Sequence, residues 1–237
     1  MAGETIKTEA ICLAIHPWSR TSHIVRWLTP AGPVSTLVKG AVRPKSAFLG
    51  QYALNYTCDI LYYARAKGEL HALRECSPLS LRERLRGDYR ALVTADYFRH
   101  LLLPLAPPGP DCGKWYDALA AALDRLECGR GNLVDELVRF ELTVLDLAGL
   151  APNFSGCPAA VADFYLDTGS FSAVGERKLR VSAETASYLA TGKCENPQIP
   201  LDAARVIGVF YAFHLENTPD ARRTVLRLIS ETKEERQ

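Results

Sequence analysis

The segment Lys39-Gly40-Ala41-Val42-Arg43-Pro44-Lys45-Ser46 sets three cations and a glycine turn within eight residues. Several mobile cations in a row suit an extended polyanion, because each neutralised phosphate releases condensed counterions. On composition alone an ordinary solvated hairpin fits equally well. The neighbouring residues favour the polyanion. Arg20, Arg26, Arg65, Lys67 and Arg74 lie in the same part of the chain, with Trp18, Trp27, Tyr52, Tyr56, Tyr62 and Tyr63 interleaved. Aromatic faces combined with cations hold single strands without sequence preference, at roughly 1–3 kcal/mol per stacked base. Any one of these rings is more often barrel core than a stacking platform, so the cluster carries the signal and its members singly do not.

Catalytic chemistry finds little support. His16, His23, His71, His100 and His214 fall in no H-E-x-x-H or H-x-H spacing. There is no G-x-S-x-G elbow, Walker loop or dinucleotide fingerprint. Cys157 before Pro158 has no recognisable base partner, and His214 sits on an apolar helical stretch where a structural role is expected. The seven cysteines show no C-x-x-C spacing, which argues against both a zinc knuckle and a disulfide framework and for reduced thiols in the cytoplasm. A second cationic group, Arg222, Arg223 and Arg227 with Arg205 ahead of it, would suit an acidic, apolar peptide if it flanks a groove. A solvated terminal face is the more ordinary explanation.

The elements that must position these residues change character near Pro78. Residues 1–80 hold nine Lys/Arg against five Asp/Glu, and the remainder is mildly acidic, although the whole chain of 237 residues has a formal charge of only +1. Strands are expected over Thr5–Ala14, Ser22–Thr29, Val34–Lys39, Tyr52–Tyr63 and Glu69–Cys76, with Lys67-Gly68 as a turn. Five short strands punctuated by Gly and Pro read as a small barrel compatible with an OB-fold or an SH3-like barrel. From Leu85 the apolar period is helical. Helices are expected over Leu85–Leu102, around Trp115–Leu126, from an Asn132 N-cap to a stop at Gly149, over Ser182–Ala190, over Leu201–Leu215 and from Asp220 to Thr232. Residues 150–180 fit no helical period and read as an inserted loop or hairpin. No apolar run reaches the roughly 18 residues of a membrane span, and MAGETIKTEA lacks the apolar core of a secretory signal.

Taken together these features resemble the bacterial recombination mediator family RecO. Trp18-Ser19-Arg20-Thr21-Ser22-His23-Ile24-Val25 and Leu28-Thr29-Pro30-Ala31-Gly32 are similar to the family's opening motif. Lys39 to Ser46 resembles its K-G-A-R-x-x-K-S signature, and Phe140-Glu141-Leu142 through Leu150-Ala151-Pro152-Asn153-Phe154 its F-E-L … G-Y-x-P-x-L passage. The resemblance implies an α+β protein of two domains: an N-terminal five-stranded OB-fold (1–80) and a mostly helical C-terminal domain (81–237). Within the latter, about 150–180 would be a degenerate zinc module. It implies a non-catalytic mediator that binds single- and double-stranded DNA, anneals complementary strands, and with RecR helps load RecA onto DNA coated by single-strand-binding protein. A cytoplasmic, nucleoid-associated protein with RecF as a further candidate partner and no membrane partner is expected. The alternative is a scaffold that docks RecR and the tail of single-strand-binding protein with little direct DNA contact.

Lys39, Arg43, Lys45, Ser46, Arg26 and Arg20 are the expected DNA contacts, and Arg222, Arg223 and Arg205 the expected partner contacts. No cofactor is expected. Many relatives hold one zinc with C-x-x-C-G … C-x-x-C. Here Cys157 is followed by Ala160 at the second position and the later pair is absent. One thiol cannot supply four ligands, so a metal-free hairpin packed by Phe164, Tyr165 and Phe171 is expected instead. Arg20 also replaces the family's usual acidic residue and Val42 its usual arginine, which adds charge to one turn and removes it from the loop.

Overall fold

The computed structural model describes residues 4–65, 68–172, 175–215 and 220–231. Five strands, β1 (Thr5–Ser19), β2 (Ser22–Thr29), β3 (Gly32–Val38), β4 (Thr57–Tyr63) and β5 (Leu70–Ser80), close into a barrel of order β1-β2-β3-β5-β4. All pairings are antiparallel except β3 with β5. This is the small five-stranded barrel the strand pattern pointed to, closed in the OB-like order that the resemblance implied. Strand alternation supplies the interior: Ala10, Cys12, Val25, Trp27, Val38, Cys58, Ile60, Tyr62, Leu73 and Cys76 pack together inside. Trp27 can be wholly buried because its Nε1 donates to Thr36 Oγ1 at 2.8 Å.

One strand is shorter than its composition suggests. Tyr52–Asn55 is not extended; Asn55 takes φ 68°, which stops the strand ladder, and β4 begins at Thr57. Residues 39–55 form a chain of turns instead. The expected Lys67-Gly68 turn includes Lys67, which lies outside the described residues.

Helices follow: α1 (Glu83–Gly87), α2 (Tyr89–Leu102), α3 (Cys112–Cys128), α4 (Leu133–Leu147), α5 (Ala183–Thr191), α6 (Ile199–His214) and α7 (Ala221–Glu231). The single helix expected from Leu85 is broken at Asp88, whose backbone is extended (φ −119°, ψ 102°). The Glu127 carboxylate accepts from the Arg84 and Leu85 amides at 3.1 Å and holds α1 as a separate turn. Asn132 caps α4 by accepting from the Val134 amide at 3.1 Å. Gly149, at φ +73°, supplies the left-handed residue that ends it. The final helix was expected to reach Thr232, which lies outside the described residues.

The chain divides into two compact units: Met1–Asp88 with Phe98–Glu127, and Tyr89–Tyr97 with Cys128–Gln237. In the first, Tyr116 donates to Glu9 Oε2 at 3.1 Å and the Arg99 guanidinium to the Leu13 carbonyl, so α3 and the end of α2 are fastened to β1. In the second, β6 (Val161–Tyr165) and β7 (Lys178–Ser182) form an antiparallel hairpin. Phe164 is its fully buried centre. It stacks on Phe154 at 4.5 Å, meets Phe171 edge-on at 5.2 Å and reaches Phe210 of α6 at 6.2 Å. Phe154 and Phe210 thus complete a cluster of which Phe164 and Phe171 were expected, while Tyr165 is only half-buried. His214 bonds the Leu166 carbonyl at 2.9 Å, a structural role. The described residues of this hairpin do not supply the four ligands of a structural zinc. Among the described residues no three His, Cys, Asp or Glu side chains converge as ligands, and Cys157 donates to the Ala159 carbonyl at 3.2 Å.

Candidate nucleic-acid interface

From Ala10 to Cys58 the chain contains no Asp or Glu, while it carries Arg20, Arg26, Lys39, Arg43 and Lys45. Folding places this acid-free stretch on three adjacent barrel strands and the turn chain after β3. Among the described residues none of these five cations forms an ion pair. Elsewhere Lys7 pairs with Asp59, Arg82 with Asp124 and Lys178 with Asp163. Five cations without ion-pair partners among the described residues are left to attract anions.

The loop is held by its backbone. Gly40 donates its amide to Ser22 Oγ at 3.2 Å, Val42 to the Thr21 carbonyl at 3.3 Å, and Arg43 to the Gly40 carbonyl at 3.1 Å. Gly40 has φ +67°, and a Cβ there would lie 3.2 Å from Arg43 Cδ. The glycine therefore both makes the turn and lets the Arg43 stem fold across it. Ser46 is half-buried, its hydroxyl accepting from the Phe48 amide at 3.2 Å, so it shapes the turn beside the cations. Lys39, Arg43 and Lys45 are exposed.

Lys39 and Arg43 share an open groove of about 340 Å³ with Trp18, Ser19, Ser22 and Leu37. Trp18 is 61% exposed, the most solvent-accessible large ring of the barrel. Arg20 is exposed in the turn joining β1 to β2 next to it. Arg26 is half-buried on the outer wall, because its neighbours Val25 and Trp27 point inward. It lies three positions along β2 from His23, the partner of Val38, or about 10 Å from the loop. Other aromatic candidates are committed elsewhere. Trp27, Tyr56 and Tyr62 are core, and Tyr52 is half-buried with its hydroxyl 2.8 Å from His23 Nδ1. Trp18 and Tyr63 keep exposed rings.

The cationic group near the C-terminus separates. Arg222 is buried, and this corrects its expected place on a binding surface. Its Nε and Nη2 donate to the two carboxylate oxygens of Glu141 at 2.7 and 2.9 Å, and Nη2 also reaches the Ala204 carbonyl at 2.6 Å. Glu141 is fully buried and also accepts from the Tyr97 hydroxyl at 2.6 Å. Glu141 needs a cation in a dry interior, and Arg222 is the residue whose helical face meets it. Arg223, one residue on, is exposed. Arg205 is exposed, pairs with Asp202 at 2.7 Å and lines a groove of about 390 Å³ with Val161, Leu179, Arg180, Val206 and Val209. Val161 and Val209 are 44% and 42% exposed there. Sequence reading missed Arg180 as a member, because the β6–β7 hairpin brings it to α6 only in three dimensions. The acid-free stretch, by contrast, was available by inspection and is the better signal for the barrel site.

Residues 1–82 match the description "Recombination protein O N terminal" and residues 86–223 match "Recombination protein O C terminal". Proteins called DNA repair protein RecO are similar along much of the chain. That of Alkaliphilus metalliredigens is 27% identical over 64% of this chain and 61% of its own. The Roseiflexus protein is 29% identical over 73% and 60%, and that of Xanthomonas euvesicatoria 33% over 76% and 78%. The chain thus spans about three fifths of the length of the first two.

Proposed function

Because this chain belongs to the recombination protein O family, we propose that it is a recombinational DNA repair mediator that holds DNA on the basic face of its barrel. The observation that carries this reading is the groove of Trp18, Lys39 and Arg43 within an acid-free stretch whose cations lack internal ion-pair partners among the described residues. Such a surface offers phosphates point charges and offers one base a ring. It holds single strands without reading sequence, and duplex through its backbone. Strand annealing asks for no more chemistry than this: charge screening between two strands and a surface that keeps them close. RecR and RecA loading belong to the same proposal, which the family's mediator role supports.

Its test is the binding of a fluorescent single strand across a salt series by the wild type and a Lys39/Arg43/Lys45→Ala variant. On single strands log affinity should fall by about 0.7 per phosphate neutralised for each decade of salt. The variant should bind more weakly at every sequence and show a shallower slope. Equal slopes would move the DNA site off this loop.

A second reading rests on the groove beside Arg205. Exposed valines flanked by Arg180 and Arg205 suit an acidic peptide that ends in an apolar side chain, such as the tail of single-strand-binding protein. Full-length protein should bind an acidic, phenylalanine-ending peptide, and Arg205→Ala should weaken that binding without changing DNA affinity. A peptide that binds Arg205→Ala as tightly as wild type would remove this groove from the function. Arg223 remains part of this proposal as an exposed cation of α7.

A further inference from the structure

A second exposed aromatic–cation pair lies on the outer wall of the barrel. Tyr63, at the end of β4, is 39% exposed, and the Arg74 guanidinium carbon sits 5.4 Å from its ring centroid. Arg74 owes this position to a bulge. Tyr62 pairs with Leu73 and Leu61 with Glu75, so Arg74 has no partner in the ladder and is turned outward. Its other neighbour is the Glu75 carboxylate, at 4.0 Å, an exposed and therefore weak contact.

The strand register connects this pair to the basic groove. Leu37, which lines the groove, pairs with Ala72 across the parallel β3–β5 contact, and Ala72 pairs with Tyr63 across β5–β4. Their chain neighbours Val38, Leu73 and Tyr62 fill the interior, so Leu37, Ala72 and Tyr63 share the outer face. Two strand spacings separate Leu37 from Tyr63, about 10 Å. Between them stands the half-buried Ala72, while Leu37 itself is only 9% exposed, so the exposed ends of this line are the Lys39–Arg43 loop and Tyr63.

We propose that Tyr63 and Arg74 form a second station for the same nucleic-acid strand, crossing β3, β5 and β4 from the Trp18–Lys39–Arg43 groove. Tyr63 stacks a base and Arg74, released from the ring, takes the adjoining phosphate. The proposal rests on the barrel being the DNA site. It adds a direction to that site: the strand crosses the sheet edge to edge and does not run along one strand.

The test is equilibrium binding of oligothymidylates graded from about 4 to 16 nucleotides, the range of site sizes for one OB fold. The proteins are wild type, Tyr63→Ala, Arg74→Ala and the Lys39/Arg43/Lys45→Ala variant, each checked for an unchanged thermal midpoint. Wild-type affinity should rise in two steps with length. Tyr63→Ala and Arg74→Ala should leave the shortest oligomer unaffected and reduce affinity for the longest by about tenfold, one stacked base. The loop variant should weaken every length. If Tyr63→Ala and Arg74→Ala bind the longest oligomer like wild type while the loop variant does not, the second station is wrong and the basic groove stands. If the loop variant also binds every length like wild type, the barrel-loop reading itself fails and the station falls with it. If both station variants bind DNA normally but lose affinity for a protein partner, the pair is a protein contact and this proposal is overturned.

Discussion

Arg222 and Arg223 are adjacent in the chain, yet one guanidinium is in a dry interior and the other in water. Burial alone would lower the Arg222 pKa, but the Glu141 charge and its hydrogen bonds outweigh that and hold it above the ordinary guanidinium value. The residue therefore stays charged at any working pH. A buried pair of this kind is not strong evidence of net stability against an apolar replacement, but removing one partner strands the other. Arg222→Ala should cost about 3–5 kcal/mol in urea unfolding, whereas Arg223→Ala should stay within about 0.5 kcal/mol. Similar losses for both would mean that the ion pair contributes little to the native state. Trp18 and Trp27 present the same contrast among aromatics. Trp27 has a buried hydroxyl for its N–H and belongs to the fold, while Trp18 has an open groove and belongs to the surface.

At the scale of elements, α6 shows how one residue sets the approach of another helix. Gly208 lies in the middle of α6, where glycine costs about 1 kcal/mol relative to alanine in an isolated helix. A Cβ at this position would collide with the Arg222 guanidinium of α7. The tip of an arginine usually moves aside easily. Here it is fixed by Glu141 and the Ala204 carbonyl, so moving it breaks the pair. Gly208→Ala should therefore destabilise the protein by about 1–3 kcal/mol despite its better helix propensity. In an Arg222→Met background the same change should become neutral or favourable. Equal costs in both backgrounds would separate the glycine from the ion pair. The β6–β7 hairpin is held differently: Phe154, Phe164, Phe171 and Phe210 give it an aromatic centre.

Across the whole molecule, a formal charge of +1 hides two regions of different character. The acid-free stretch makes the barrel's own field positive although the chain is near neutral, and it is the local field that steers a polyanion. Burial also shapes the pH response. It holds the phenols of Tyr97, Tyr188 and Tyr211 above their ordinary 10.0, with Glu141 adding to the effect on Tyr97 and Tyr211 and Asp135 on Tyr188. In the unfolded chain these groups ionise near 10, while in the folded protein they keep their protons. The unfolded state then binds fewer protons, so stability present below pH 10 is lost as pH rises above it. The urea midpoint should fall between about pH 9 and 11, and Tyr188→Phe should reduce that fall. A midpoint flat across this range would mean that the phenols ionise equally in both states.

The chain by itself determined the elements and their class. Alternation in β1, β2 and β3, the helical stripes, the Asn132 cap and the Gly149 stop are local signals, since each depends on a few neighbouring residues and on backbone sterics. The cationic loop was equally legible, because glycine and charge act where they stand. What the tertiary structure decided was exposure and pairing. Asn55 in a left-handed conformation ended a strand that composition extended through Tyr52. Six aromatics in the barrel looked alike, and only closure of the sheet sent Trp27 inward and left Trp18 and Tyr63 outside. Three C-terminal arginines formed one cluster in sequence, and Glu141, 81 positions from Arg222, drew one of them into the core. Charge and period are properties of a segment; burial and ion pairing belong to residues that meet only once the chain is folded.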